Sequence, residues 1–177
     1  MESRRKRSRS QFIKWGCYVL LMLLCTVLQT TPGLLQFGQA KPLFLLPLAL
    51  AVATFEDEFT GALFGAVCGL MWDYTAGRTV GMLALELLIL CFFASVIEQL
   101  YLKNSMPIFV AVSVIAALLV LLTDYLFFYI MPGYSYPLER FLFFIVPCTL
   151  LTAPASLVVF LIVRKIRTEF KTDNGVV

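Results

Sequence analysis

From Trp15 to Val163 the chain is a succession of apolar runs separated by short polar breaks. The run from Pro107 to Ile130 contains one charged residue, Asp124, and the run from Phe141 to Val163 contains none. Crossing a hydrocarbon core of about 30 Å takes roughly 20 apolar residues in a helix, and both runs are long enough. A chain of 177 residues that is 60% hydrophobic and only 14% charged is too apolar for a water-soluble domain, so it reads as an integral membrane protein. The runs leave no stretch for a separate soluble domain. The expected organisation is a basic tail over residues 1–14, a transmembrane domain over 15–163 and a second basic tail over 164–177.

Six runs can be separated. The first goes from Trp15 to Leu28, and the second from Pro42 to Phe55, interrupted by Pro47 and stopped by Glu56, Asp57 and Glu58. The third is GALFGAVCGLMWDYTAGRTVG from Gly61 to Gly81, the fourth goes from Val80 to Val96 and holds Glu86, and the two long runs complete the set. Pro147 and Pro154 lie inside the last. The expected fold class is an all-α integral membrane protein with about six transmembrane helices in one compact bundle. Run two and the continuous apolar part of run three offer only about 14 or 15 residues each, roughly 22 Å of helix, so a short hairpin or a partly re-entrant pair is expected there. Such a pair is tolerated only where protein surrounds its ends.

Charge sets the orientation. A secretory signal is rejected at the N-terminus, because Gln29, Thr30, Thr31 and Pro32 follow the first run without a small-x-small cleavage site, and further spans come after. With both termini inside, the inner side holds Arg4, Arg5, Lys6, Arg7, Arg9, Lys14, Lys103, Arg164, Lys165, Arg167 and Lys171, against Lys41, Arg78 and Arg140 outside. That asymmetry favours a multi-pass membrane protein with cytoplasmic termini. The basic N-terminal tail reads as an anchor on anionic lipid, not a nucleic-acid arm.

Within the third run Gly61, Gly65 and Gly69 fall on nearly one helical face and form a groove without side chains, a common way for helices to associate in lipid. Either another helix of the same chain fills it, or a partner's transmembrane helix docks there. With the topology above, Asp73 and Arg78 lie in an outer loop, Glu86 and Asp124 each lie about 9 Å inside the outer ends of their runs, and Arg140 starts the last run from the same side. These five form a candidate outward-facing polar cluster. It is either a cavity for a small ligand, a proton or a partner's polar groups, or a set of local caps and interhelical hydrogen bonds.

The chain has no histidine, which removes His-based acid/base catalysis, His-containing metal sites and Ser-His-Asp hydrolysis. Cys17, Cys25, Cys68, Cys91 and Cys148 sit in apolar runs without paired or metal-type spacing and read as packing residues. No metal and no cofactor is expected, and the chain does not read as an enzyme. Trp15, Trp72, Tyr74, Tyr101, Tyr129, Tyr134 and Tyr136 fall near expected interfaces as a lipid belt. The loop Met131 to Arg140, MPGYSYPLER, is the longest external surface for a partner.

Leu28-Gln29 closing the first run, Pro42-Leu43-Phe44-Leu45-Leu46 opening the second, Gly61, Gly65 and Gly69-Leu70 leading to Asp73, and then Gly81, resemble the MreD family of bacterial rod shape-determining membrane proteins. The final run with Pro147 and a basic exit fits the same layout. The resemblance implies a non-enzymatic scaffold of the cell-elongation, peptidoglycan-synthesising machinery. Its implied partners are a single-span MreC-like protein, whose transmembrane helix would dock on Gly61, Gly65 and Gly69, together with the RodA glycosyltransferase, its transpeptidase and the MreB cytoskeleton. The family is also similar in fold to the substrate-binding subunits of energy-coupling-factor vitamin transporters, so the alternative function is a small-molecule transporter subunit. Those subunits grip their coupling subunit through Ala-x-x-x-Ala in the first helix; here that spacing occurs at Ala49 and Ala53 and at Ala62 and Ala66, in runs two and three.

Overall fold

The structure, a computed structural model, describes residues 2–31, 33, 40–77, 81–101, 105–132 and 141–171, with side chains described at all of these except 2–10, 98–101, 170 and 171. Six α-helices account for most of them: α1 (Glu2–Thr30), α2 (Leu45–Phe55), α3 (Glu58–Ala76), α4 (Met82–Tyr101), α5 (Met106–Tyr125) and α6 (Val146–Lys171). A π-helical turn over Leu126–Ile130 prolongs α5, and another over Phe141–Ile145 leads into α6. The described residues are all-helical in class. α1 starts at Glu2 and so runs through the basic residues that precede the first apolar run.

Among the described residues three helical stretches, Gln11–Thr30, Met106–Ile130 and Phe141–Glu169, are long and apolar enough to cross a membrane, while Leu45–Phe55 and Met82–Ile97 are shorter apolar helices. The long helices keep broad apolar faces exposed, which in a membrane protein is where lipid belongs.

The shortest helix is the centre. Every residue of α2 is buried, and α2 packs against all five other helices. Its eleven residues reach only about 16 Å, half of a hydrocarbon core. Pro47, which interrupts the apolar run in sequence, occupies the first turn of α2, where a missing N–H costs little. The residues before it, including Ala40, Pro42 and Leu43, are buried as well. The expectation that this stretch needs protein around its ends holds in a specific form: the chain wraps it completely.

α3 ends on Gly77 in the left-handed conformation, φ 63°, whose N–H bonds the Asp73 carbonyl. This closes the helix and starts the turn to α4. α3 and α4 then lie side by side as the most extensive helix pair of the fold. α5 starts after an extended Ser105, with proline in its first turn.

Candidate functional site

The glycine stripe shows how tightly α3 is seated. A Cβ at Gly61 would lie 2.6 Å from the Ala53 Cα of α2, and one at Gly65 would lie 2.6 Å from the Cys91 Sγ of α4. One at Gly69 would meet the Ala84 backbone N and the Leu83 carbonyl oxygen, both at 2.7 Å. Distances below 3.0 Å leave no room for a side chain. The groove expected to receive a partner's helix at Gly61, Gly65 and Gly69 is therefore filled by α2 and α4 of this chain. The sequence pattern identified close helix packing; the occupant is internal. Cys25, Cys68, Cys91 and Cys148 are buried free thiols, in keeping with their reading as packing residues.

The bundle has two chemically different ends. At one, Lys14 Nζ donates to both carboxylate oxygens of Glu56, at 2.8 and 2.7 Å, and the Tyr18 hydroxyl donates to the same carboxylate at 3.1 Å. Trp15, Tyr18 and Phe64 pack around this pair with ring centroids 5.7 to 6.3 Å apart. The Arg167 guanidinium lies 5.2 Å from the centre of the Phe55 ring. The middle of α1 around Lys14, the end of α2 and the end of α6 are thus gathered together.

At the other end the N-terminus of α2 is held by side chains. Gln29 Oε1 accepts from the N–H groups of Phe44 and Leu45 at 3.2 and 3.1 Å, and Thr152 Oγ1 accepts from the Leu43 N–H at 3.2 Å. Thr152, in the second turn of α6, and Leu43 and Leu45 are all buried, so this helix start lies where donors cannot turn to water. Beside it is a pocket of about 180 Å³ lined by Thr26, Gln29, Thr30, Trp72 and Thr75 among others. Trp72, expected in the lipid belt, is buried at its wall, whereas Tyr74 is exposed.

Of the five residues expected to converge, the described ones are Asp73, Glu86 and Asp124. Asp73 is 1% exposed; its Oδ2 accepts the Gly81 N–H at 2.9 Å, bracing the turn between α3 and α4. Its Oδ1 is buried without a hydrogen-bond partner among the described residues. Glu86 Oε1 accepts from the Thr123 hydroxyl at 2.6 Å, joining α4 to α5, and Glu86 lies within electrostatic range of both Asp124 and Asp73. Asp124 lines a second pocket of about 200 Å³ with Leu121, Tyr125, Phe128, Tyr129, Phe144 and Ile145. Arg78, Arg140 and most of the loop 131–140 lie outside the described residues. The structure thus places Asp73, Glu86 and Asp124 at one end of the bundle, each on a different helix.

A family model described as rod shape-determining protein MreD matches residues 8–169, nearly the whole chain. The chain belongs to the MreD family. Membership of MreD places it in rod-shape determination, and the apolar helices fit a membrane protein. No curated protein and no solved structure matches the chain.

In this MreD protein two contacts hold the bundle together that sequence reasoning missed. One is the Lys14–Glu56 pair; the acidic turn was visible, but its partner lies 42 residues upstream. The other is the capping of α2 by Gln29 and Thr152. Gln29 was visible only as the polar end of an apolar run, and nothing marked Thr152, one hydroxyl among many.

Proposed function

We propose that the chain is a non-enzymatic scaffold of the bacterial cell-elongation, peptidoglycan-synthesising machinery, docking the transmembrane helix of an MreC-like single-span protein, with RodA, its transpeptidase and MreB as further partners. The observation that carries this reading is the family match over residues 8–169. The protein is taken as multi-pass in the inner membrane with both termini cytoplasmic. The gathering of Lys14, Glu56 and Arg167 at one end supports that orientation, since it puts the N-terminal and C-terminal basic runs on one side.

With the glycine groove occupied, the partner's helix is assigned to the outer face of α3. Phe59, Leu63, Val67, Leu70 and Tyr74 are exposed there in single file, at spacings of four, four, three and four. That is the narrow seam of a helix pair, whereas the exposed faces of α1, α4 and α6 are broader, as lipid-facing surfaces are. The transporter reading loses support from α2: Ala49 and Ala53, which have the gripping spacing, are fully buried within the chain.

The test is affinity purification of the tagged full chain from its host's membranes after mild cross-linking, with a photo-reactive residue replacing Leu63 or Val67 in parallel samples. Recovery of an MreC-like protein, cross-linked from these positions and not from Leu118 on α5, is expected. Recovery of a transmembrane coupling subunit with its ATPases would replace the scaffold reading with a transporter one.

A further inference from the structure

The pocket beside the start of α2 is polar without being charged. Thr26, Gln29 and Thr30 of α1 line it, with Trp72 and Thr75 of α3 and with Leu45 of α2. Thr26, Leu45 and Trp72 are buried, whereas Thr30 and Thr75 are exposed, so the pocket has a floor inside the bundle and a mouth at its end. Its volume of about 180 Å³ corresponds to about six water molecules at ~30 Å³ each, the scale of one small ring with its substituents.

The hydroxyl protons of the lining are already used. Thr26 donates to the Met22 carbonyl at 2.8 Å, Thr30 to the Thr26 carbonyl at 2.8 Å and Thr75 to the Met71 carbonyl at 2.9 Å. Bonding back to the preceding turn leaves each hydroxyl oxygen a lone pair to offer, so the threonines present acceptors. Donors come from two other residues. Gln29 Oε1 accepts from two backbone N–H groups, which fixes the orientation of the amide and leaves its NH₂ group without an acceptor among the described residues. The indole of Trp72 can only donate, and its N–H bonds no described group although the residue is only 8% exposed.

This lining excludes ions. No described residue of the pocket wall is charged, and the N–H groups of Phe44 and Leu45, which would attract an anion to the helix start, are taken by Gln29. An ion entering here would lose hydration without meeting a counter-charge. A neutral occupant must donate to the three threonines, accept from Gln29 and Trp72, and lay an apolar face on Leu45 and the indole ring. Hydroxyls on a saturated ring combine these properties, because each O–H both donates and accepts while the ring C–H groups cover apolar surface.

We propose that this pocket binds a single neutral sugar residue, whose hydroxyls donate to Thr26, Thr30 and Thr75 and accept from Gln29 and Trp72. This goes beyond the scaffold role and needs none of its partners.

Fluorescence titration of the purified full chain tests this, in lauryldimethylamine oxide, a detergent without a sugar head group. Trp15→Phe leaves Trp72, in the pocket wall, as the sole tryptophan. Methyl β-glucoside or methyl α-mannoside is expected to change its emission saturably, while sodium acetate and tetramethylammonium chloride at equal concentration do not. Thr26→Val and Thr75→Val should each weaken the apparent affinity at least fivefold. Thr149→Val, which removes a back-bonded hydroxyl of α6 outside the pocket, should leave it unchanged. No saturable change with either sugar, an equal response to either salt, or affinity kept in both pocket variants overturns the proposal. Should Thr26→Val fail to fold, as judged by gel filtration and helix content, Thr75→Val at the exposed mouth decides the matter. The readout needs no protein partner, so its failure is distinguishable from failure of the scaffold reading.

Discussion

Glu56 joins two elements through one carboxylate. It follows the last residue of α2, accepts both bonds from Lys14 and receives the Tyr18 hydroxyl of α1. Both side chains of the pair are largely buried, so removing either partner strands the other charge. Glu56→Ala is expected to destabilise the detergent-solubilised protein by about 1–3 kcal/mol, read as a lowered unfolding midpoint. Combining Lys14→Glu with Glu56→Lys should restore more than half of the loss, and no restoration would deny the direct pairing. Gln29 makes a parallel case. Gln29→Leu leaves the Phe44 and Leu45 N–H groups without their acceptor and should cost about 1–3 kcal/mol by the same measurement, while Gln29→Glu, which keeps an acceptor, should cost less. Neither contact was legible in the sequence. Each joins residues 15 to 42 positions apart, and local spacing carries no information about such pairs.

At the scale of elements, the glycine stripe illustrates how much a pattern says. Its four-residue spacing on an apolar helix identified close approach correctly, because only absent side chains permit it. It could not say whose backbone approaches. Since Gly65 lies against Cys91 and Gly69 against Ala84 within the same chain, Gly65→Leu and Gly69→Ala should destabilise the isolated protein. Thermal unfolding in detergent, with no partner present, is expected to register about 1–3 kcal/mol for Gly69→Ala, and more for Gly65→Leu. An unchanged midpoint combined with lost partner binding would return the stripe to the partner. The brevity of α2 was visible as a short apolar run broken by Pro47. Its central position was not, because a fully buried helix and a short lipid-facing one have the same apolar composition.

For the whole molecule, the pairing of Lys14 with Glu56 marks one end of the bundle, and the proximity of Asp73, Glu86 and Asp124 marks the other. Labelling with a membrane-impermeant maleimide checks the orientation. In a background without the native cysteines, Asp57→Cys should react only from the cytoplasmic side and Ala76→Cys only from the opposite side. The reverse pattern would invert the topology. Hydropathy and charge by themselves determined that the chain is a helical membrane protein, roughly where its helices lie, and that Glu86 and Asp124 share an end, because solvent transfer and helical rise act along the chain. The occupant of the glycine groove, the burial of α2 on every side, the Gln29 and Thr152 caps and the aromatic walls around Asp124 were decided only by tertiary structure. Each depends on which distant segments meet, and in an apolar chain many alternative pairings bury equivalent surface, so shape and the satisfaction of buried polar groups make the choice.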